Sequence, residues 1–552
     1  MKKTIDIDLS SDRLIAVAAD LVDEHNYISA LKLLNKNADM HFNDEDSYML
    51  YAEIFDDVGL FEKCVNSWFK YMDCTFSDDF TEAYEGLAVA YMNLGNEHFS
   101  AYYYNKLLMD ANDIDPEMRG EIMNSFLSRE PNPLKFVYPP KLADCSGIIS
   151  AGVASMRRGE YDKAIEEFSE VDEENGAYLS ARNYIAMCYI ISDQCDKAEE
   201  VCLDILKKKP DNVQALTTLA AVRTEQKKHD ESRELAKRLL DLDVTVPEEI
   251  YKIATVCCEN KLHAEAHGQF SKLKGELDYD KSVLYFKAIS AFNCGKYEES
   301  FAAFDRLLTI SPEAVIARYH YEKARDMVES GNVSEMSYFY RMPKEEREST
   351  FKVLAAFSKL KKTEARKLFS LVDVSDCINW CFDETEGSEE TELQCLAADC
   401  AIKAELDGMV CDMLLNAFLS DALKVQILTM LGERNEDNVF GVVICHLYKR
   451  INFRRLNIGR LKRKNFVTAY ARLTAHFAIL HNSYSDKFAN AAEKLYRKFE
   501  KAGTLSSVND VDALTAVIYS QSGVREPKIP AGQLAAFFDT TDKNISKLTG
   551  KL

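Results

Sequence analysis

The sequence is short of the residues and motifs that mark several large classes of protein. Its 552 residues include only 11 prolines and 21 glycines, too few for an all-β chain with many turns. No apolar run approaches the roughly 18 residues that a membrane span requires, and the amino terminus lacks the apolar stretch of a signal peptide. The 15 cysteines are an odd number and form no Cys-x-x-Cys pair. We therefore expect a helical, cytoplasmic protein with reduced thiols and no membrane partner.

Motifs for catalysis and phosphate binding are also missing. The sequence has no Gly-x-x-x-x-Gly-Lys-Ser/Thr loop, no Gly-x-Ser-x-Gly elbow and no His-Glu-x-x-His. His263 and His267 would lie one helical turn apart, as two metal ligands do, but no third ligand is placed near them. Cys377 and Cys381 share a helix face, where packing explains them better than redox chemistry. We predict no enzyme activity, no cofactor and no metal.

What the sequence does contain is a 34-residue period. Five units follow one another without a gap over residues 145–314, and three more lie upstream. The units begin at Ser11, Glu45, Thr81, Cys145, Leu179, Val213, Pro247 and Lys281. Their eighth and twentieth places hold only Gly, Ala, Ser or Cys, and small side chains let two antiparallel helices approach closely. Each unit therefore predicts a helical hairpin.

Turn and stop residues fall at matching places of these units. Gly159 and Gly295 supply the turn between the two helices, while Pro210 and Pro312 end second helices. The pattern resembles the tetratricopeptide repeat, a helix-turn-helix unit of about 34 residues. The resemblance implies an all-α superhelical solenoid, followed here by a separate helical carboxy-terminal domain. It also implies a concave groove that binds a peptide or another protein without covalent chemistry.

The resemblance further indicates which residues line that groove, because the first helix of each unit contributes fixed places to it. These side chains combine apolar and aromatic anchors with hydrogen-bonding groups, as peptide docking requires. They are Asn183, Tyr184, Met187, Tyr251, Lys252, Tyr285, Phe286, Ile289, Phe292 and Asn293. The alternative, which the sequence leaves open, is that several of them pack between repeats. The identity of the bound segment also stays open.

Five regions are predicted along the chain. They are acidic repeats at 1–128, a proline-rich linker at 129–144, five repeats with a closing helix at 145–330, irregular helical hairpins at 331–448, and a basic helical domain at 449–552. The closing helix is expected at Val315–Ser330. In the last region we expect helices at about Phe466–Leu480, Asp486–Lys501 and Val508–Ser522.

Charge is distributed unevenly between the two ends. Residues 1–144 carry 27 acids and 12 bases, whereas residues 440–552 carry 19 bases and 8 acids. The acidic groove places upstream are Asp12, Asp23, Asp46, Glu53, Asp56, Asp57, Glu82 and Glu85. They indicate either a basic partner or an ordinary solvated face. One candidate partner is the basic tract Lys449–Lys464 of the same chain.

The final residues are similar to a helix-turn-helix over Gln533–Leu548. Thr541 would cap its second helix, and Asp539 stands at the turn place that prefers Gly. If the motif binds DNA or RNA, Lys543, Asn544 and Lys547 would face bases, and Arg454, Arg455, Lys462 and Arg463 would contact phosphates. Such a segment also closes cyclin-box-like helical domains. A protein-binding scaffold is therefore our first hypothesis, and a regulator that contacts nucleic acid is the alternative.

Overall fold

The computed structural model describes residues 9–77, 79–110, 116–127, 146–173, 175–273, 275–369, 371, 374–385, 391–479, 484–525 and 529–550. Within them it contains 29 α-helices and one two-stranded sheet, which confirms the all-α prediction. The predicted linker at 129–144 lies outside the described residues. Two compact units are present. The first comprises Met1–Asn112, Glu313–Ile316 and Arg341–Leu552, and the second comprises Asp113–Pro312 and Ala317–Tyr340.

The first unit begins with three helical hairpins. Their helices are α1 (Ser11–Asp23), α2 (Tyr27–Met40), α3 (Glu45–Asp57), α4 (Phe61–Cys74), α5 (Thr81–Asn93) and α6 (Glu97–Asp110). All three first helices begin at the residue that the period predicts. Asp44 shows why α3 begins where it does, because its side chain accepts a hydrogen bond from the Ser47 amide at the open end of the helix.

The second unit contains the central array. Its helices are α7 (Pro116–Leu127), α8 (Ser146–Arg157), α9 (Tyr161–Ser169), α10 (Tyr178–Ile191), α11 (Cys195–Lys208), α12 (Val213–Glu225), α13 (His229–Leu240), α14 (Pro247–Glu259), α15 (His263–Phe270), α16 (Lys281–Asn293), α17 (Tyr297–Ile310) and α18 (Val315–Ser330). Helices α8 to α17 form the five predicted hairpins. Helix α18 is the predicted closing helix, with the predicted bounds.

The small residues of the period sit where two helices meet. All sixteen are buried: Ala18, Ala30, Ala52, Cys64, Ala88, Ser100, Gly152, Ala164, Ala186, Ala198, Ala220, Ser232, Ala254, Ala266, Ala288 and Ser300. At Gly152 an added Cβ would lie 2.5 Å from the ring of Phe168. Larger side chains at these places would therefore push the paired helices apart.

The turn between the two helices has the same backbone in all eight units. Its residue takes a left-handed conformation, with φ between +56° and +77°. The residues are His25, Gly59, Gly95, Gly159, Asp193, Lys227, Lys261 and Gly295. Four of them are not glycine, although a side chain is strained in this conformation. The packing of the paired helices imposes the turn even where the residue disfavours it.

Among its described residues, the rest of the first unit is helical apart from one β-hairpin. Its elements are α19 (Lys344–Phe357), α20 (Lys362–Phe369), α21 (Ser375–Glu384), α22 (Thr391–Ala404), α23 (Asp407–Leu415), α24 (Asp421–Gly432), β1 (Asn438–Ile444), β2 (Leu447–Phe453), α25 (Arg463–Ala478), α26 (Ser485–Lys501), α27 (Val511–Gln521), α28 (Leu534–Phe537) and α29 (Asp542–Thr549). Helices α22 and α23 form a further hairpin, in which Glu405 has the left-handed turn conformation, with φ +60°.

Strands β1 and β2 correct the prediction of helices up to residue 448. They pair antiparallel from Asn438 opposite Phe453 to Ile444 opposite Leu447. The end of β1 is a buried β-branched run, and Ile451 and Phe453 are buried while Asn452 between them is exposed. This alternation is typical of a strand. The predicted domain boundary between residues 448 and 449 falls inside β2.

The tip of this hairpin packs on the amino-terminal repeats. Its two residues, Cys445 and His446, both have positive φ, which a two-residue turn between twisted strands requires. The Tyr91 hydroxyl lies 2.9 Å from His446 Nδ1, the Tyr103 hydroxyl donates to the His446 carbonyl at 2.6 Å, and the Phe99 ring lies 4.5 Å away. The carboxy-terminal region is thus joined to the amino-terminal repeats in one compact unit.

We predict that Lys227→Gly stabilises the protein by about 1 kcal/mol, because glycine removes the side-chain strain of the left-handed turn. The measurement is the free energy of unfolding from a urea titration. The reciprocal change, Gly295→Lys, should lower that free energy by a similar amount. An unchanged or lower stability for Lys227→Gly would contradict the role assigned to this turn.

A second prediction concerns the buried Lys424, whose Nζ donates to the Val443 carbonyl at 2.7 Å. Burial lowers its pKa to about 8. Between that value and the ordinary lysine pKa of about 10.4 the unfolded chain binds more protons, so the free energy of unfolding should rise with pH. Lys424→Met should remove about 3 kcal/mol of this rise. The exposed Lys352→Met is the control, and equal slopes in both variants would contradict the prediction.

Candidate functional site

The aromatic residues predicted to line the central groove partly pack between units. The Tyr184 ring stacks on Phe168 with centroids 5.0 Å apart. Tyr251 and Phe286 both pack against Phe270, at 6.2 and 5.8 Å. Each of the three predicted residues is only partly buried, so part of each ring remains accessible. Packing between repeats, the alternative that the sequence leaves open, therefore buries part of each ring.

Ile289 and Phe292 are corrections to the predicted groove lining. Ile289 has no exposed surface, and Phe292 has 2%. The Phe292 ring packs on Tyr297, the first residue of the following helix, with centroids 5.2 Å apart. Both side chains are therefore buried in this arrangement and have no surface to offer a partner.

Two polar residues of the predicted groove, Asn183 on α10 and Lys252 on α14, each bond a polar side chain at or near the start of α12. Asn183 Nδ2 donates to Asn212 Oδ1 at 3.3 Å, while Asn183 Oδ1 is buried with no hydrogen-bond partner among the described atoms. Lys252 Nζ donates to the side-chain oxygen of Gln214 on the neighbouring first helix. Met187 is half-buried on the same face of α10. This stretch of the inner face retains hydrogen-bonding capacity.

The face of α16 that carries Tyr285 and Asn293, which we call its inner face, is already covered by the chain itself. We call Met336–Tyr340 the strap. Asn293 Nδ2 donates to the Met336 carbonyl at 2.9 Å, and the Met336 amide donates to Asn293 Oδ1 at 2.8 Å. The Tyr285 hydroxyl donates to the Phe339 carbonyl at 3.1 Å. These contacts place the strap antiparallel to α16, and they include Tyr285 and Asn293, two residues predicted to line the groove.

The side chains of the strap alternate between the two sides of an extended chain. Met336 is 3% exposed and Tyr338 and Tyr340 are partly buried, whereas Ser337 and Phe339 are exposed, the latter by 81%. This period of two is typical of extended chain. The sequence carries this signal as apolar residues at every second place from Met336 to Met342, after the last repeat.

The two histidines considered as metal ligands have other partners. His263 Nδ1 lies 2.8 Å from the Tyr338 hydroxyl, and the two rings stack at 5.7 Å. His267 Nε2 lies 3.0 Å from a carboxylate oxygen of Glu299. Burial lowers the pKa of both imidazoles. Among the described residues no group of three potential ligands is arranged to hold a metal ion.

Four of the predicted upstream carboxylates, Asp23, Glu53, Asp56 and Asp57, form a cluster. Burial, followed by the charge of Asp57, raises the pKa of both Glu53 and Asp56. Asp23 adds to this effect at Glu53. The contacts that join the two ends of the chain lie elsewhere, and they include the ion pair between Lys70 and Asp412 at 2.5 Å.

The basic tract is largely engaged with its surroundings. Arg454 lies 3.5 Å from Glu493 and 3.7 Å from Asp486, Lys462 Nζ donates to Asn509, and Arg463 donates to the Leu456 carbonyl at 3.3 Å. Arg455 is exposed. Most of these side chains therefore serve the packing of their own region.

The helix-turn-helix-like segment has the predicted cap and turn conformation, while its assignment to that motif stays a prediction. Thr541 accepts a hydrogen bond from the Asn544 amide at 3.2 Å, and Asp539 has φ +54°. The first helix, α28, has only four residues. The Asn544 side chain, predicted to face bases with Lys543 and Lys547, donates to Asp510 at 2.8 Å. Lys543 and Lys547 are exposed. The nucleic-acid hypothesis gains no support from these contacts.

Paired helices, small residues at every crossing and one shared left-handed turn recur at the same places of each unit. Both arrays have the tetratricopeptide-repeat fold. No protein-family model and no curated protein matches the chain. No described helix is both long and apolar enough to cross a membrane.

Several solved structures resemble the chain. It is similar to yeast Tom70 at 14% identity over 98% of this chain and 99% of that one, with a TM-score of 0.25. It is similar to the TPR domain of P58(IPK) at 14% identity over 59% and 99%, with a TM-score of 0.24. It is also similar to a structure of MamA at 17% identity over 34% and 98%, with a TM-score of 0.22. The assignment of the repeat fold rests on the helices themselves and not on these resemblances.

Proposed function

We propose that the protein is a non-enzymatic scaffold whose central repeats hold an extended segment of another protein against their inner face. One observation carries the proposal. The inner face at α16 already binds an extended chain through the side-chain amide of Asn293, which contacts both the amide and the carbonyl of Met336. Contacts to the main chain suit any segment of compatible shape, whatever its sequence.

Earlier units of the same array supply similar groups beyond the reach of the five-residue strap. Asn183 Oδ1 lacks a hydrogen-bond partner among the described atoms, and a buried oxygen in that state is costly. The half-buried Tyr184, Met187 and Tyr251 offer apolar surface beside it. A partner segment that packs on this face would cover these side chains, and an amide that it donates would satisfy the oxygen once the Asn183 side chain turns towards it. Binding of this kind needs no covalent step.

The test places a photoreactive amino acid at Met187 in the full-length protein within its native cell. Crosslinking at Met187 should capture a discrete partner, and Asn183→Ala should reduce its yield about tenfold, because a lost bond at a desolvated amide is worth about 1.5 kcal/mol. The matched control carries the photoreactive group at the exposed Glu234 on the second helix α13. Equal capture at both positions, or no capture at Met187, would contradict the proposal.

A further inference from the structure

The strap is held through its main chain as a bound peptide would be. Asn293 closes a pair of hydrogen bonds with Met336, at 2.9 and 2.8 Å, and the Tyr285 hydroxyl bonds the Phe339 carbonyl at 3.1 Å. Tyr285 has no exposed surface left in this arrangement. These bonds fix the position and direction of the chain but do not depend on which side chains it carries.

The strap side chains that face the repeats show which residue types the site selects. The Tyr338 ring stacks on His263 at 5.7 Å, with its hydroxyl 2.8 Å from Nδ1, and lies 6.5 Å from the Phe286 ring. The Tyr340 ring meets the Tyr285 ring edge-on at 4.8 Å. The site therefore accepts a large apolar residue followed by an aromatic residue at each of the next two alternate places. Residues between them face solvent and are unconstrained.

The strap is also a segment that can leave without unfolding a helix. It lies between the end of α18 and the start of α19, and residues 331–335 before it are exposed. Its attachment to the same chain gives it an effective concentration of roughly millimolar. A free peptide with an intrinsic dissociation constant of about 10 μM would then bind the intact protein about 100-fold more weakly.

We propose that the strap is an internal ligand, and that the α16 site binds a partner's extended segment of the same alternating apolar and aromatic pattern by displacing it. The inference rests on the proposed function, since it assumes that the inner face binds protein segments. Beyond that function, the inference specifies the residue pattern of the bound segment. It also identifies the strap as a competitor that a partner must displace. A partner must either exceed the strap in affinity or contact neighbouring units at the same time.

The first experiment uses full-length protein in which Tyr338→Ser and Tyr340→Ser loosen the strap. The probe is a fluorescein-labelled peptide with the sequence of residues 334–342, followed by fluorescence anisotropy. The loosened variant should bind this peptide at least 50-fold more tightly than the wild type, in line with the competition estimate of about 100-fold. Adding Asn293→Ala to the loosened variant should weaken binding about tenfold.

The matched control is Ser337→Ala with Phe339→Ser, which alters only the outward side chains. It should bind the peptide as weakly as the wild type does. A peptide with serine in place of both tyrosines should bind none of the variants. The proposal is overturned if the loosened variant keeps α16 protected from hydrogen exchange yet fails to bind, or if the outward control binds equally well.

A second measurement covers the case in which the loosened variant does not fold. Hydrogen exchange of the wild type is followed while the unlabelled peptide is raised to millimolar concentration. Exchange of residues 336–340 should increase while α16 stays protected, and no change at the strap would overturn the proposal. Crosslinking at Met187 is independent of both results, so failure of the strap inference and failure of the scaffold function are distinguishable.

Discussion

The close approach of two helices through small side chains is the constraint on which the rest of the structure depends. Every eighth and twentieth place of the eight units is buried, and at Gly152 not even a methyl group fits against Phe168. That approach fixes the left-handed turn between the helices, even at Lys227 and Lys261, where the residue disfavours it. The stacking of such pairs then leaves the first helices with an inner face on which another segment can pack.

The chain covers part of this face itself. The strap covers α16 and is held there by hydrogen bonds with Asn293 and Tyr285. Over α10 to α14 the rings of Tyr184 and Tyr251 are only partly buried, and Asn183 retains an oxygen with no hydrogen-bond partner among the described atoms. Polar groups of this surface therefore have hydrogen-bond partners on the strap at α16, whereas Asn183 Oδ1 on α10 has none among the described atoms. This difference supports the proposal that the inner face binds protein segments.

The sequence predicted the repeats well because their packing is local and periodic. Helices α12, α14 and α16 begin at the residues that the period gives, and α18 has its predicted bounds. The β-hairpin was not predicted, because its short apolar run does not differ from a buried helix by period alone. The strap was missed for a different reason. Its position depends on contacts with α16, more than 40 residues earlier in the chain, which no local pattern encodes.

Binding of a partner to the inner face can be tested most directly by NMR of protein labelled at its methionine methyl groups. Met336 is buried in the strap, and Met187 is half-buried on α10. When the captured partner is titrated in, we expect the Met336 signal to move to the position of a solvent-exposed methionine and the Met187 signal to change as well. Binding that leaves both signals unchanged, while methionines elsewhere such as Met430 respond, would contradict it.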